Sequence, residues 1–294
     1  MSEYIYSIVI PHYNSATLLQ RMLDSIPQRK DIQIIVVDDC STIENIELLR
    51  NSHHSNLEIT YLPDNHGPGH ARNVGMQMAT GKWLLVVDAD DVFADHAFSV
   101  FDNYVDSDYD YINYCIKVTN ADLKTNGNNV YSDQIVREYI ENPTDTNLLK
   151  FKYLNSVCWN KLVRNKFIQA NGVCFDETMV TDDIIYNLII GLKAKKFKVI
   201  PDELYVYIEN MNSITHKNKT LDREFLFYIQ IQKRNGFFQK LGLTHYPFYR
   251  RTILYFPHML LKRGLSDAIK FFKMIRERKN EIAEARKAYL YLFQ

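Results

Sequence analysis

The sequence predicts an α/β protein: a doubly wound, mostly parallel sheet followed by a helical C-terminal extension. Three observations carry this reading. Strand-like and helix-like segments alternate four times within the first ninety residues, the pattern of right-handed β-α-β crossovers. The fourth strand-like run is continuously apolar, as a strand covered by helices on both faces must be, and three of the four runs break off in acidic or glycine-rich loops. From Leu221 onward the chain turns helical, aromatic and basic.

Taken in order, Tyr4 to Ile10 is β-branched and aromatic and stops at Pro11, which has no N–H for a central ladder. A helix follows from Ala16 to Ile26, with Leu18, Leu19, Met22, Leu23 and Ile26 at helical spacing and Asn14 or Ser15 as its N-cap. Ile32 to Val37 is the second strand; it ends in Asp38-Asp39-Cys40-Ser41, and Ser41 or Thr42 caps a helix that runs through Leu49. Leu57 to Leu62 is the third strand and runs into Asp64-Asn65-His66-Gly67-Pro68-Gly69-His70. Ala71 to Ala79 is helical and is closed by Gly81.

The fourth strand lies in Lys82 to Asp91, where five apolar residues end in three carboxylates within four positions. In an open α/β sheet, ligands bind in the crevice outside the carboxyl ends of the strands. Asp88 and Asp90 can converge there on one hard cation. The bland alternative is a solvated strand end, and Asp91 reads as a helix-capping residue.

Beyond Asp91 the expected elements are a helix at Phe98 to Val105, a strand at Tyr109 to Val118, a polar loop from Asn120 to Asn129, and helices at Ser132 to Tyr139 and Asn147 to Lys150. Cys158 to Leu162 is expected to introduce a short helix, followed by Gly172 to Glu177. Thr181 is expected to cap a helix beginning with Asp182-Asp183; acids there suit the helix dipole even without a catalytic role. Two short strands around Pro201 span Lys198 to Ile208, and one long helix spans Asp267 to Tyr291.

Formal charges cancel over the 294 residues, but not locally. Residues 1–216 carry 18 basic and 29 acidic side chains, net −11, whereas residues 217–294 carry 17 and 6, net +11. Such a tail suits an anionic membrane surface, the alternative being a helical cap that happens to be basic. No recognition module points to nucleic acid. Cys40, Cys115, Cys158 and Cys174 show no metal or redox spacing and read as free thiols of a reducing compartment. With no apolar run of membrane-spanning length, the expectation is a cytoplasmic protein, peripheral on the inner face of the membrane if the tail binds lipid.

Five motifs then occur in one order: Ser7-Ile8-Val9-Ile10-Pro11-His12-Tyr13-Asn14, Val36-Val37-Asp38-Asp39-Cys40-Ser41, Asn65-His66-Gly67 with Ala71-Arg72-Asn73-Val74-Gly75, Asp88-Ala89-Asp90, and Asp182-Asp183. The order resembles that of inverting family 2 glycosyltransferases, whose GT-A fold is a Rossmann-like sheet. The resemblance covers residues 4–216. Trp159-Asn160-Lys161 and Phe175-Asp176-Glu177 are similar to bacterial members that build surface polysaccharides such as lipopolysaccharide or capsule.

The resemblance implies a catalytic domain over 1–216, with a nucleotide-binding half at 1–91 and an acceptor-binding half at 92–216, ahead of the helical region 217–294. It places Pro11 and Tyr13 along the nucleoside, one of Asp38 and Asp39 on the uracil N3–H, Arg72 at the base or diphosphate, and Asp88 on the ribose side. Asp90 would hold Mn²⁺ or Mg²⁺ on the diphosphate of a UDP-sugar, with His216 as a further metal or phosphate contact. Asp183 would be the general base that takes the proton of an acceptor hydroxyl, on a saccharide or lipid-linked saccharide. Asp182, Trp159 and Lys161 would support it or face the acceptor. Two positions depart from the family pattern: Asp182 replaces the usual Glu, and Ile208-Glu209 stands where relatives place a basic residue. A Gln-x-x-Arg-Trp motif is absent, so transfer of a single sugar is expected.

Two other classes compete. A metal-dependent phosphohydrolase would use Asp88 as nucleophile and Asp90 as acid partner, but in the haloacid-dehalogenase-like family that strand opens the core, whereas here three β-α units precede it. A non-catalytic nucleotide-sugar-binding protein would keep the pocket and lack turnover. Gly67-Pro68-Gly69 lacks the third glycine of a dinucleotide fingerprint.

Overall fold

The structure, a computed structural model, describes residues 4–50, 54, 56–120, 122, 124, 130–209, 220–246, 249 and 255–294. The chain divides into two compact units, Met1–Asn210 and Met211–Gln294.

The first unit is built on one eight-stranded sheet. Its first strands, β1 (Tyr6–His12), β2 (Ile32–Asp38), β3 (Leu57–Tyr61) and β4 (Trp83–Val86), are parallel and alternate with helices α1 (Ala16–Asp24), α2 (Ile43–Arg50) and α3 (Pro68–Met78). All seven residues of β2 are buried, and its sequence is apolar except for Gln33 and the terminal Asp38. Next come β5 (Val92–Phe93), α4 (Ala97–Asp102), β6 (Tyr111–Thr119), α5 (Tyr131–Glu141), α6 (Asp145–Leu154), β7 (Lys161–Arg164), α7 (Asn165–Asn171), α8 (Asp183–Lys193) and β8 (Phe197–Ile208). The strand order is β3-β2-β1-β4-β7-β6-β8-β5. β6 and β8 are parallel to each other, whereas β7 lies antiparallel between β4 and β6, and β5 pairs antiparallel with β8.

The register fixes the crevice. His12 at the end of β1 stands opposite Asp38 at the end of β2, and Val9 opposite Val86 at the end of β4, so neighbouring strands deliver their polar termini to one rim.

Several expected elements are corrected. The short helix that Cys158 to Leu162 introduces is α7, closed by Gly172, but an unexpected strand, β7, comes first; pairing with β4 and β6 overrides a local pattern only a few residues long. Residues 197–208 form one strand instead of two, and Pro201 sits where the β6–β8 register slips between Tyr114 and Ile116. Thr181 is not a cap: it has a positive φ of 49°, and Asp182 takes the N-cap position of α8.

The second unit is helical: α9 (Leu221–Lys240), α10 (Tyr255–Arg263), α11 (Leu265–Glu277), α12 (Lys279–Lys287) and a 3-10 turn, Leu290–Phe293. The single helix expected from Asp267 to Tyr291 is broken at Arg278, whose backbone leaves the helical region (φ −100°, ψ 28°). The aromatic residues explain the fold: Phe225, Tyr228, Met259, Ala268 and Phe271 form a buried core shared by α9, α10 and α11. No helix among the described residues is long and apolar enough to cross a membrane.

Candidate active site

The rim of β1 and β2 is held by carboxylates that the sequence motifs placed there. Asp38 Oδ2 accepts a hydrogen bond from His12 Nδ1 at 2.7 Å, and Asp38 Oδ1 accepts from the Ser41 backbone N–H. His12 Nε2 accepts from the Ser15 N–H at 3.1 Å, which sets the ring as the Nδ1–H tautomer and ties α1 to β2. Burial alone would raise Asp38's pKa, but the hydrogen bonds from His12 and Ser41 outweigh it and hold the group below the usual carboxylate value. Asp39 grips the loop before α3, accepting from the N–H groups of His66 (2.9 Å) and Gly67 (2.8 Å). Pro11 is half-buried beside this rim and Tyr13 is exposed.

Arg72 on α3 joins the two parts of the site. Its guanidinium is buried, with Nη2 2.5 Å from Asp88 Oδ1 at the β4 rim and Nη1 2.5 Å from Asp182 Oδ2 at the start of α8. The guanidinium carbon stands 5.4 Å from the centroid of the Phe175 ring. Gly69, one turn earlier, allows this approach, because a Cβ there would meet the Asp176 carbonyl oxygen at 2.0 Å. At the other edge, Tyr205 on β8 donates to Asp91 Oδ2 and its oxygen accepts from the Asp88 N–H.

Three acids crowd this point. Asp88, Asp90 and Asp91 each offer a carboxylate oxygen within 4.8 Å of the others. Burial, then the charge of Asp88, pushes Asp90 up to about 6, and burial with the charges of Asp90 and Asp88 raises Asp91 well above the carboxylate range. A cluster of hard oxygens whose ionisation is opposed by its own crowding fits a divalent cation such as Mn²⁺ or Mg²⁺. The three acids differ in what else they hold. Asp91 is buried, with one oxygen on the Ile208 N–H and the other on Tyr205, so the helix-capping role expected for it is corrected: α4 begins only at Ala97, and Asp91 fastens β8 to the β4 rim. Asp88 has one oxygen on Arg72, whereas the Asp90 carboxylate engages no other side chain among the described residues. Arg21 reaches the Asp90 carbonyl at 2.5 Å and steadies the loop.

Asp183 is the first residue of α8, next to the Arg72-bound Asp182. Burial, then the charge of Asp182, raises its pKa above the usual carboxylate value, so a proton is bound more readily there than on an ordinary aspartate. Asp182 is also raised, burial outweighing its pairing with Arg72. Trp159 stacks on Tyr205 (5.3 Å between centroids) and Tyr207 (5.7 Å), while Lys161 is buried, donating to the Val157 carbonyl and Asn160 Oδ1. Burial presses the Lys161 ammonium down to about 7. Its donors point into the scaffold, so it supports the loop 155–160 from beneath.

The structure thus gathers Arg72, Asp88, Asp90, Asp182 and Asp183 into one crevice, with Asp38 and Asp39 bracing the neighbouring rim. His216 lies outside the described residues. Sequence reasoning passed over His12, Arg21, Tyr205 and Tyr207. His12 had a signal, since two adjacent parallel strands that both end in polar residues bring those residues side by side.

An open sheet with carboxylates gathered beyond its strand ends, closed on one side by antiparallel strands, is the GT-A type of α/β transferase fold. Over residues 7–172 the chain matches the family described as glycosyl transferase family 2, and it belongs to that family. Among its relatives is the poly(ribitol-phosphate) beta-N-acetylglucosaminyltransferase TarS of Staphylococcus aureus, 25% identical over 209 residues, which are 69% of this chain and 35% of that protein. The poly(ribitol-phosphate) beta-glucosyltransferase of Bacillus spizizenii is 28% identical over 211 residues, 69% of this chain and 32% of the relative. The chain thus spans about a third of the length of these relatives. A crystal structure of S. aureus TarS 1-349 in complex with UDP-GlcNAc superposes with a TM-score of 0.68 at 21% identity, covering 96% of this chain and 83% of that one. The chain is accordingly related to teichoic acid and polysaccharide glycosyltransferases.

Proposed function

We propose that this chain is an inverting glycosyltransferase that moves one hexose or N-acetylhexosamine from a UDP-sugar to a hydroxyl of a saccharide or lipid-linked acceptor in the synthesis of a bacterial surface polymer. The observation that carries the reading is the Arg72 bridge, which sets the acids suited to a metal-bound diphosphate beside Asp183.

Asp90 and the second oxygen of Asp88 would hold Mn²⁺ or Mg²⁺, which when bound supplies Lewis-acid stabilisation to the departing diphosphate. Asp38 and Asp39 are kept rigid by His12 and by the His66-Gly67 amides, so whichever of them meets the uracil N3–H is already oriented. Arg72 fixes Asp182 and with it the first turn of α8. Asp183 removes the acceptor hydroxyl proton as that oxygen bonds to the anomeric carbon. The bond from that carbon to the UDP oxygen breaks on the opposite face, and its electron pair leaves with UDP, so the configuration inverts. Trp159, Tyr205 and Tyr207 form an aromatic wall beside the acids that suits the face of a sugar ring.

The names of the relatives favour UDP-GlcNAc and UDP-glucose as first donors to try and extend the acceptor class from lipopolysaccharide or capsule to polyol-phosphate polymers. The same reading places the enzyme at the inner face of the membrane, where residues 217–294 meet anionic lipid.

The test is UDP release from UDP-GlcNAc, UDP-Glc, UDP-GalNAc and UDP-Gal with Mn²⁺. UDP is expected from at least one donor, with Asp90→Asn and Asp183→Asn each lowering turnover by about a thousandfold. Inorganic phosphate without UDP would overturn the reading, and saturable UDP-sugar binding without any turnover would favour a binding protein.

A further inference from the structure

The second unit carries an apolar tip that the described residues leave exposed. Helices α10 and α11 form a hairpin about Gly264, closed on the inside by Met259, Ala268 and Phe271 and by an edge-on contact of Phe256 with Phe272 at 5.1 Å. On the outside, Leu261 is 89% exposed, Leu265 58% and Ile269 56%. Leu261 and Leu265 flank the turn, and Ile269 continues the row one helical turn along α11. Three large aliphatic side chains in one exposed row are a patch that a soluble surface does not need.

The charges around the row say what covers it. Between Tyr255 and Glu277 there are five basic residues, Lys262, Arg263, Lys270, Lys273 and Arg276, against two acidic ones, Asp267 and Glu277. Lys270 and Lys273 border the row on α11, and their ion pairs with Asp267 (3.8 Å) and Glu277 (3.7 Å) are long and exposed. Pairs of that kind contribute little and exchange readily for another anion. A second copy of the chain would bring these lysines against one another. A soluble polyanion would satisfy them and leave Leu261, Leu265 and Ile269 in water. An anionic bilayer meets both halves of the surface, taking the aliphatic tip below the headgroups and the ammonium groups among the lipid phosphates.

We infer that the α10–α11 hairpin is a membrane-docking element that inserts Leu261 and Leu265 into an anionic lipid surface. This sharpens the peripheral placement proposed above to one hairpin and rests on that placement; the donor chemistry stands apart, because UDP release is measured without lipid.

The full chain is sedimented with vesicles of phosphatidylcholine alone and of phosphatidylcholine with phosphatidylglycerol in equal parts. Binding is expected only to the second kind, weakening as salt is added. Leu261→Ser with Leu265→Ser should lower the partition at least about tenfold, and Lys270→Gln or Lys273→Gln about fivefold each. UDP release in lipid-free solution should match that of the parent in all of them. Equal binding to both vesicles, no binding to either, or full binding by the double serine variant overturns the inference. So does self-association without lipid that the double serine variant abolishes, since the tip would then be a contact between copies. A serine variant that stays bound to vesicles and is displaced by soluble polyphosphate would assign the surface to a polyanion instead.

Discussion

Arg72 is the residue on which the site turns, because one buried guanidinium answers two carboxylates from distant parts of the chain. Its planar fork spans both, which a lysine would not do. The neighbouring Asp183 has to be ionised to accept a proton, and burial together with the charge of Asp182 raises its pKa. Activity should therefore rise with pH across that raised value and level off above it. Asp182→Asn removes the like charge and leaves Arg72 with one carboxylate fewer to balance, so both changes favour the ionised form of Asp183. The rising limb of kcat/KM should shift to lower pH in this variant; an unchanged limb, or one moved upward, would mean that Asp183 is not the titrating base. The motif order in the sequence reached Asp183 and Asp90. It could not reach Tyr205, which binds both Asp88 and Asp91, because that contact joins β4 and β8 across more than a hundred residues.

At the scale of elements, β1, β2 and β4 were legible because their runs are largely apolar and buried, and the partly exposed β3 because polar loops and helices bound it on both sides. β7 was not, because only four residues pair there and its place between β4 and β6 is set by those strands instead of by its own pattern. The loop into α8 shows the same limit from the opposite side. Asn14, Cys40 and Thr181 are the described non-glycine residues with positive φ, and each lies at a strand end or helix start that lines the crevice, where strained backbone aims side chains. Gly69 makes the packing of α3 on this loop possible. Gly69→Ala would drive a methyl into the Asp176 carbonyl oxygen and to 2.9 Å from the Asp182 Cβ, so the loop must retreat. The variant should lose about 1–3 kcal/mol of stability and a larger share of turnover than of UDP affinity, since it moves Asp182 and Asp183 and leaves Asp90 in place. Thermal unfolding and calorimetric UDP titration would check both parts; wild-type turnover would show that the α3–loop contact does not position the base.

Across the whole molecule, charge separates the chain into an acidic part that carries the site and a basic part that does not. With 29 acidic against 18 basic residues over 1–216, the crevice opens in a body that repels a diphosphate. Among the described residues Arg72 and Arg21 are the cations at the acid cluster; both arms of Arg72 are paired with carboxylates and Arg21 is held on the Asp90 carbonyl, so little positive charge there is left to receive UDP. UDP binding should then depend on a divalent cation held by Asp90. In thermal unfolding, UDP alone should shift the melting temperature little. UDP with Mn²⁺, at about a hundred times its dissociation constant, should add about 2.7 kcal/mol, or about 5 °C for a chain of this size. Asp90→Asn should erase the metal-dependent part of the shift. Asp183→Asn should keep it, since the role proposed for that residue is at the acceptor and not at the diphosphate. A shift that survives chelation equally in the parent and in Asp90→Asn would show that the diphosphate is held by protein groups alone, and the role given to Asp88 and Asp90 would pass to a basic residue elsewhere.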